Sequence, residues 1–180
     1  IMIIAIISIY IPYTGKENII SLYISLELIS MIVYTLLYKR GNIENYHNIL
    51  YYFFINSISS FIFLYSILSI YREIGSIYIS DIFIKDNINL YPLYIALMIK
   101  LGAGPFYYWK VLLYSKLDTI RLLLISIIPN FLYIYILSIF LKEEYLLLLS
   151  IFILLSILFG SIGFYSSNLF NRLIIYSSIY

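Results

Sequence analysis

Five long apolar runs, Ile19–Tyr38, Ile49–Tyr71, Asn89–Trp109, Ile120–Leu141 and Tyr145–Ser166, constrain this chain more than any other feature. Each is about as long as the roughly 20 apolar residues that a helix needs to cross a bilayer core about 30 Å thick. Inside lipid, every backbone N–H and C=O must find a partner within the protein, which leaves helices and closed barrels as spanning structures. A barrel strand uses only about 10 residues with alternating polarity, so these runs read as helices. Two partial runs flank them, Ile1–Ile11 and Leu173–Tyr180. The second is too short to span. It is expected to be completed by another chain, to lie in the interface, or to be truncated. The expected fold class is all-α, a polytopic membrane helix bundle forming one domain over residues 1–180.

Composition agrees. The chain is 63% hydrophobic and 11% charged, with mean hydropathy +0.99. Soluble domains carry about 25% charged residues, and a soluble fold of this length has no interior large enough to hide so much apolar surface. A soluble enzyme and a disordered chain are both excluded. There is no cysteine, hence no disulfide, thiolate nucleophile, iron–sulfur cluster or cysteine-bound zinc. The single histidine, His47, argues against a histidine-built metal site or a bis-histidine haem and reads as a solvated loop residue. The net charge of +2 is too small to imply a nucleic-acid partner. The chain holds 41 Ile but two Val and three Ala. Packing does not separate Ile from Val so sharply, whereas AT-rich codons do, so an organelle gene is expected. No basic or Arg-rich leader precedes the apolar runs, as expected for a protein made where it is inserted.

The loops carry a charge asymmetry. One side, Thr14–Glu17, Arg72–Asn87 and Lys142–Glu144, has four basic and six acidic residues. The other, Lys39–Asn48, Lys110–Thr119 with Arg121, and Ser167–Arg172, has six basic and two acidic residues. The excess of Lys and Arg places this second side inside. Two charges remain, Glu27 and Lys100, each near the middle of a span.

A charge at the bilayer centre costs at least about 2.5–3.5 kcal/mol, and such residues face a bundle interior, pair, or line an ion path. Lysine suits a proton relay, because burial disfavours its charged form while a nearby carboxylate favours it. The bland alternative is a salt bridge that only fixes packing. Lys100 also precedes a helix breaker, Gly102-Ala103-Gly104-Pro105. Pro105 lacks an N–H and would clash one turn back at Leu101, and Gly102 and Gly104 weaken the same turn. Broken helices at membrane depth line protein-satisfied or watered cavities and recur at transporter ion sites. An ordinary proline kink is the alternative here.

Weaker candidates are Tyr107 and Tyr108, as hydrogen-bond relays, and Trp109, read mainly as an interfacial aromatic. Most of the 22 tyrosines are put down to codon bias and interface anchoring. Ser25, Ser30, Ser57, Ser59 and Ser60 either bond between helices or bond back to their own backbone. Gly160 and Gly163 permit close helix approach. No phosphate loop, nucleophile–base pair or carboxylate pair appears. Any part played in an enzyme is therefore transport rather than bond chemistry.

Four stretches, in order, resemble a known family. They are Leu26-Glu27-Leu28-Ile29-Ser30-Met31 with Tyr34; Tyr51-Tyr52-Phe53 through Ser57-Ile58-Ser59-Ser60; Lys100 through Trp109; and Asn171 through Ile179. The chain resembles the subunit-2 family of proton-pumping NADH:ubiquinone oxidoreductase (respiratory complex I), whose members are antiporter-like membrane subunits. The Lys100 motif is the most specific of the four, and the resemblance runs from about Leu26 onward.

The resemblance implies inverted repeats with broken helices, of which this chain carries the first. It makes Glu27 the modulating acid and Lys100 the central proton carrier. Three positions depart from it. Tyr107 replaces a usual His, Tyr51 a frequent Lys, and Asn130, after Pro129, the connecting Lys of the first repeat; an amide carries no proton charge, and Asn130 joins Tyr107 and Tyr108 as a relay or water-ordering candidate. It also implies a mitochondrial inner-membrane location, and other membrane-arm subunits and lipids as partners. Either a separate chain is expected to supply the second repeat, or the subunit is expected to be a reduced one. No cofactor is expected on this chain, with NADH, FMN, Fe–S clusters and ubiquinone elsewhere in the complex. The alternatives are a non-pumping scaffold of that complex, a cation/proton antiporter subunit, and an unrelated transporter bundle with a structural Glu27–Lys100 pair.

Overall fold

The computed structural model describes residues 18–37, 43–84, 88–115, 117–165 and 175–177. The partial run at Ile1–Ile11 and most of Leu173–Tyr180 lie outside the described residues. So do the loop charges Lys16, Glu17, Lys39, Arg40, Lys85, Asp86, Lys116 and Arg172.

The described secondary structure is helical, apart from an isolated antiparallel bridge between Asn18 and Tyr78. Seven helices follow in order: α1 Ile19–Leu37, α2 Ile43–Ile74, α3 Ile79–Ile84, α4 Tyr91–Leu101, α5 Tyr108–Tyr114, α6 Thr119–Ile139 and α7 Leu146–Tyr165. Short 3-10 turns cover Gly104–Tyr107 and Glu143–Tyr145. Among the described residues, four segments are long and apolar enough to cross a membrane: Ile19–Leu37, Ile49–Ile74, Thr119–Ile139 and Glu143–Tyr165. They match four of the five long runs. The fifth run, Asn89–Trp109, is not one helix but a half-helix α4, a break, and a second short helix α5 that carries the path on to Tyr114.

Each long helix buries one stripe and exposes another apolar one. In α1, Leu22, Leu26, Ile29 and Val33 recur at three- and four-residue spacing and point inward, while Ile20, Ile24 and Met31 face out. Helices that are apolar all round belong inside a large protein or a membrane, and the outer surface bears this out. Phe61, Leu68, Ile120, Phe131, Leu147, Leu154 and Ile162 are all exposed. A water-facing surface of this kind would be an aggregation hazard, whereas lipid or a neighbouring subunit accepts it.

The packing order brings the sequence-distant pieces together. α2 lies along α4, α1 packs between α2 and α6, α4 also meets α6, and α7 closes over the 3-10 turn that follows the break. Deep in the bundle, Leu22, Leu26, Phe63, Leu97 and Ile136 form the main apolar cluster. A second cluster gathers Val33, Trp109, Leu113, Leu122 and Ile175. One end of the bundle is clamped by phenols. The Tyr145 hydroxyl donates to the Ile88 carbonyl (2.8 Å) and accepts from the Leu90 N–H (3.0 Å), and the Tyr94 hydroxyl donates to the Phe140 carbonyl. Interior tyrosines are thus structural members of the bundle. His47 lies exposed on the first turns of α2 rather than in a loop. Gly163 does admit a close approach, because a Cβ there would fall 2.0 Å from the Tyr176 ring.

Candidate functional site

The break in the fifth run is made by glycine before proline has any part in it. Gly102 adopts a left-handed conformation (φ 60°, ψ 39°). Its N–H donates to the Ile99 carbonyl (3.1 Å), and the Ala103 N–H donates to the Met98 carbonyl (3.0 Å). This pair of bonds is the Schellman ending, which satisfies carbonyls that the next helical turn would otherwise have used. Pro105 then sits in the first turn of the 3-10 segment, where a missing N–H costs nothing. The expected clash at Leu101 does not arise, since the helix has already ended. Gly104 is also left-handed (φ 59°), and a Cβ there would meet Phe152 at 2.8 Å.

Lys100 occupies the last turn of α4 and is fully buried, its side chain 1% exposed. Its ammonium has three partners for its three N–H groups. It donates to Asn56 Oδ1 (2.8 Å) and Ser60 Oγ (3.0 Å) on α2, and to Glu27 Oε1 (3.3 Å) on α1. Ser60 also donates to Glu27 Oε1, and Asn56 Nδ2 donates to the Tyr34 hydroxyl (3.5 Å). The two intramembrane charges, 73 residues apart in sequence, therefore form one ion pair embedded in a polar network. The pair is asymmetric: 29% of the Glu27 side chain is exposed. It opens onto a groove of about 370 Å³ between α1 and α2, lined by Tyr23, Ser30, Met31, Tyr34, Asn56 and Ser60 among others. Behind Lys100 is a much smaller space of about 10 Å³, bounded by Tyr52, Ile55, Asn56, Ser59, Trp109 and Tyr133. That is close to the minimum for one water.

The serines divide. Ser25 and Ser30 bond back to the Leu22 and Glu27 carbonyls of their own helix, whereas Ser59 donates to the Ala96 carbonyl of α4 (3.1 Å) and Ser60 joins the ion pair. Ser57 lines the Glu27 groove. Tyr107 stacks on Phe159 (4.9 Å between centroids) and Tyr108 is exposed; no hydrogen bond joins either to Glu27 or Lys100 among the described residues. Tyr51, where the resemblance has a frequent Lys, is exposed.

Two residues differ from their sequence-based reading. Trp109 is not an interfacial anchor. It is buried, its ring packs on Tyr52 (5.6 Å), and its indole N–H donates to the Ile99 carbonyl (3.1 Å), tying α5 back across the break. Lys110, an inner loop charge by the sequence pattern, is 1% exposed, and its ammonium donates to Asn130 Oδ1 on α6 (3.3 Å). The bundle thus buries a second lysine. The loop assignment failed because α5 continues past Trp109 for more than a turn. The signal in the sequence was Val111-Leu112-Leu113, an apolar continuation right after Lys110.

The comparisons with known proteins agree with this geometry. The family described as NADH:quinone oxidoreductase/Mrp antiporter, transmembrane, matches residues 16–180. NADH-ubiquinone oxidoreductase chain 2 of Wickerhamomyces canadensis is 36% identical over 126 residues, which are 63% of this chain and 22% of that protein. The protein of the same name in Dictyostelium discoideum is 29% identical over 91% of this chain and 37% of its own length. NADH-quinone oxidoreductase subunit N of Campylobacter jejuni is 26% identical over 92% of this chain and 38% of its own length. Among solved structures, a chain of respiratory complex I from Thermus thermophilus with bound aureothin superposes with a TM-score of 0.76 at 22% identity. The superposition covers 91% of this chain and 38% of that one, and the likeness is one of fold. The chain therefore spans between 22% and 38% of the length of these relatives.

Proposed function

This chain belongs to the NADH:quinone oxidoreductase/Mrp antiporter transmembrane family, and from that premise we propose that it is an antiporter-like membrane-arm subunit of a respiratory NADH:ubiquinone oxidoreductase. In this reading it contributes to proton translocation and does no redox chemistry of its own. NADH, flavin, iron–sulfur clusters and ubiquinone belong to other chains, and the neighbours are other membrane-arm subunits and lipids. A separate chain supplies a second repeat, and the location is the mitochondrial inner membrane.

The observation that carries the reading is the Glu27–Ser60–Lys100–Asn56 network at the end of a broken half-helix. Lys100 ends a helix inside the bundle, where the proton-loaded ammonium is held by one anion and two neutral acceptors. Glu27 faces the groove, so a proton or a neighbouring charge arriving there alters the field at Lys100 through a 3.3 Å contact. Release of a proton leaves a neutral amine that Asn56 and Ser60 still accommodate. A lysine that is well held in both forms is what a relay requires, and a purely structural pair has no use for the groove on its acidic side.

The test is Lys100→Met, which keeps the side chain's length and removes its charge. Proton translocation by vesicles is read per unit of complex assembled, with assembly read on native gels stained for NADH dehydrogenase activity and the active band checked by mass spectrometry. Translocation falls while assembly persists if Lys100 is a relay. Lost assembly, or unchanged translocation per complex, refutes the relay, and absence of the chain from the active band refutes the complex.

A further inference from the structure

We infer that Lys110 is a second proton-carrying lysine, set across the helix break from Lys100 and held on α6 by Asn130. The inference deepens the relay reading above and rests on it.

Three observations carry it. First, Lys110 is only 1% exposed, and among the described residues its ammonium hydrogen-bonds to Asn130 Oδ1 and to no carboxylate. A structural lysine inside a bundle is paired with an acid or displaced by an apolar side chain, because a lone buried cation is expensive. A neutral amide suits a different requirement. It accepts a hydrogen bond from the ammonium and from the neutral amine alike, so it holds Lys110 through loading and unloading.

Second, the backbone is shaped to let this side chain pass. A Cβ on Gly102 would lie 2.9 Å from Lys110 Cδ and 3.0 Å from Cε. The aliphatic stem therefore crosses directly over the left-handed glycine that ends α4, two residues after Lys100. This is the C-terminal, electronegative end of an 11-residue helix, a setting that favours a cation.

Third, polar groups stand beside each of the two lysines. Tyr133 bounds the small space beside Lys100 together with Tyr52. Asn130 lies three residues before Tyr133 and so on the same face of α6. Asn130 also lines a groove of about 350 Å³ with Ser126, Phe131 and Ser177. In the step itself, the Lys110 amine gains an N–H from the Lys100 side. The proton then passes to a water or carboxylate that a neighbouring subunit brings to the Asn130 groove, which restores the amine.

The experiment compares three variants of the complete membrane complex with wild type: Lys110→Met, the swap Lys110→Met with Asn130→Lys, and Lys100→Met in parallel. Translocation is read per unit of assembled complex. Methionine keeps the stem over Gly102, so a packing role survives it. The expected result is a loss of at least about fivefold in Lys110→Met with recovery in the swap, which returns an amine to the same contact from α6. Unchanged translocation in Lys110→Met overturns the inference. So does a loss that the swap leaves uncorrected, and so does failed assembly of both, which would make the amine structural. If Lys100→Met also translocates normally, the relay reading itself has failed; if only Lys110→Met does, the failure is confined to Lys110.

Discussion

Replacing Glu27 by Gln is the sharpest perturbation of the ion pair. Glutamine keeps the length and the carbonyl oxygen, so Lys100 and Ser60 still have an acceptor at the Glu27 position; only the negative charge is gone. Two unit charges 3.3 Å apart attract by about 5 kcal/mol at an effective dielectric of about 20. Glu27 is 29% exposed, and screening from the groove reduces this to about 2–3 kcal/mol, near the low end of what breaking a buried pair costs. That loss falls on the protonated lysine and spares the neutral one, an equilibrium shift of roughly 30- to 150-fold. Assembly should survive, since the neutral amine still bonds Asn56 and Ser60. Proton translocation by vesicles, normalised to assembled complex on native gels, is expected to fall by about tenfold or more. A rate within about twofold of wild type would falsify the claim that the Glu27 charge governs Lys100.

Two further substitutions probe the break. Gly102→Ala forces an L-residue into a left-handed conformation at a cost of about 1–2 kcal/mol and sets its methyl against the Lys110 stem. It should lower the thermal inactivation temperature and reduce translocation together. Trp109→Phe removes the indole N–H but keeps the ring on Tyr52. The Ile99 carbonyl retains the Gly102 N–H, so the loss should be about 0.5–1.5 kcal/mol, seen as a small drop in thermal stability with little change in translocation.

The site was half legible from the chain. Glu27 and Lys100 stand out because an uncompensated charge in a 20-residue apolar run has no cheap explanation, and the glycines beside Lys100 mark where the helix ends. What linear reading missed follows from packing. Ser60 and Asn56 become ligands of Lys100 because α2 lies along α4, and nothing in their spacing distinguishes them from Ser57, which faces the groove. Lys110 looked like a loop charge because span ends are read from charges, while the helix after the break carries that charge inward to Asn130.

The chain by itself determined a membrane bundle of helices with Glu27 and Lys100 at depth and a weakened turn beside Lys100. The physical reason is the bilayer, which demands long apolar segments and makes every exception conspicuous. Only tertiary structure decided which exceptions meet. Contacts across 73 and 44 residues of sequence depend on how helices rotate and pack, and helices that are apolar all round carry almost no record of rotation in their residue pattern.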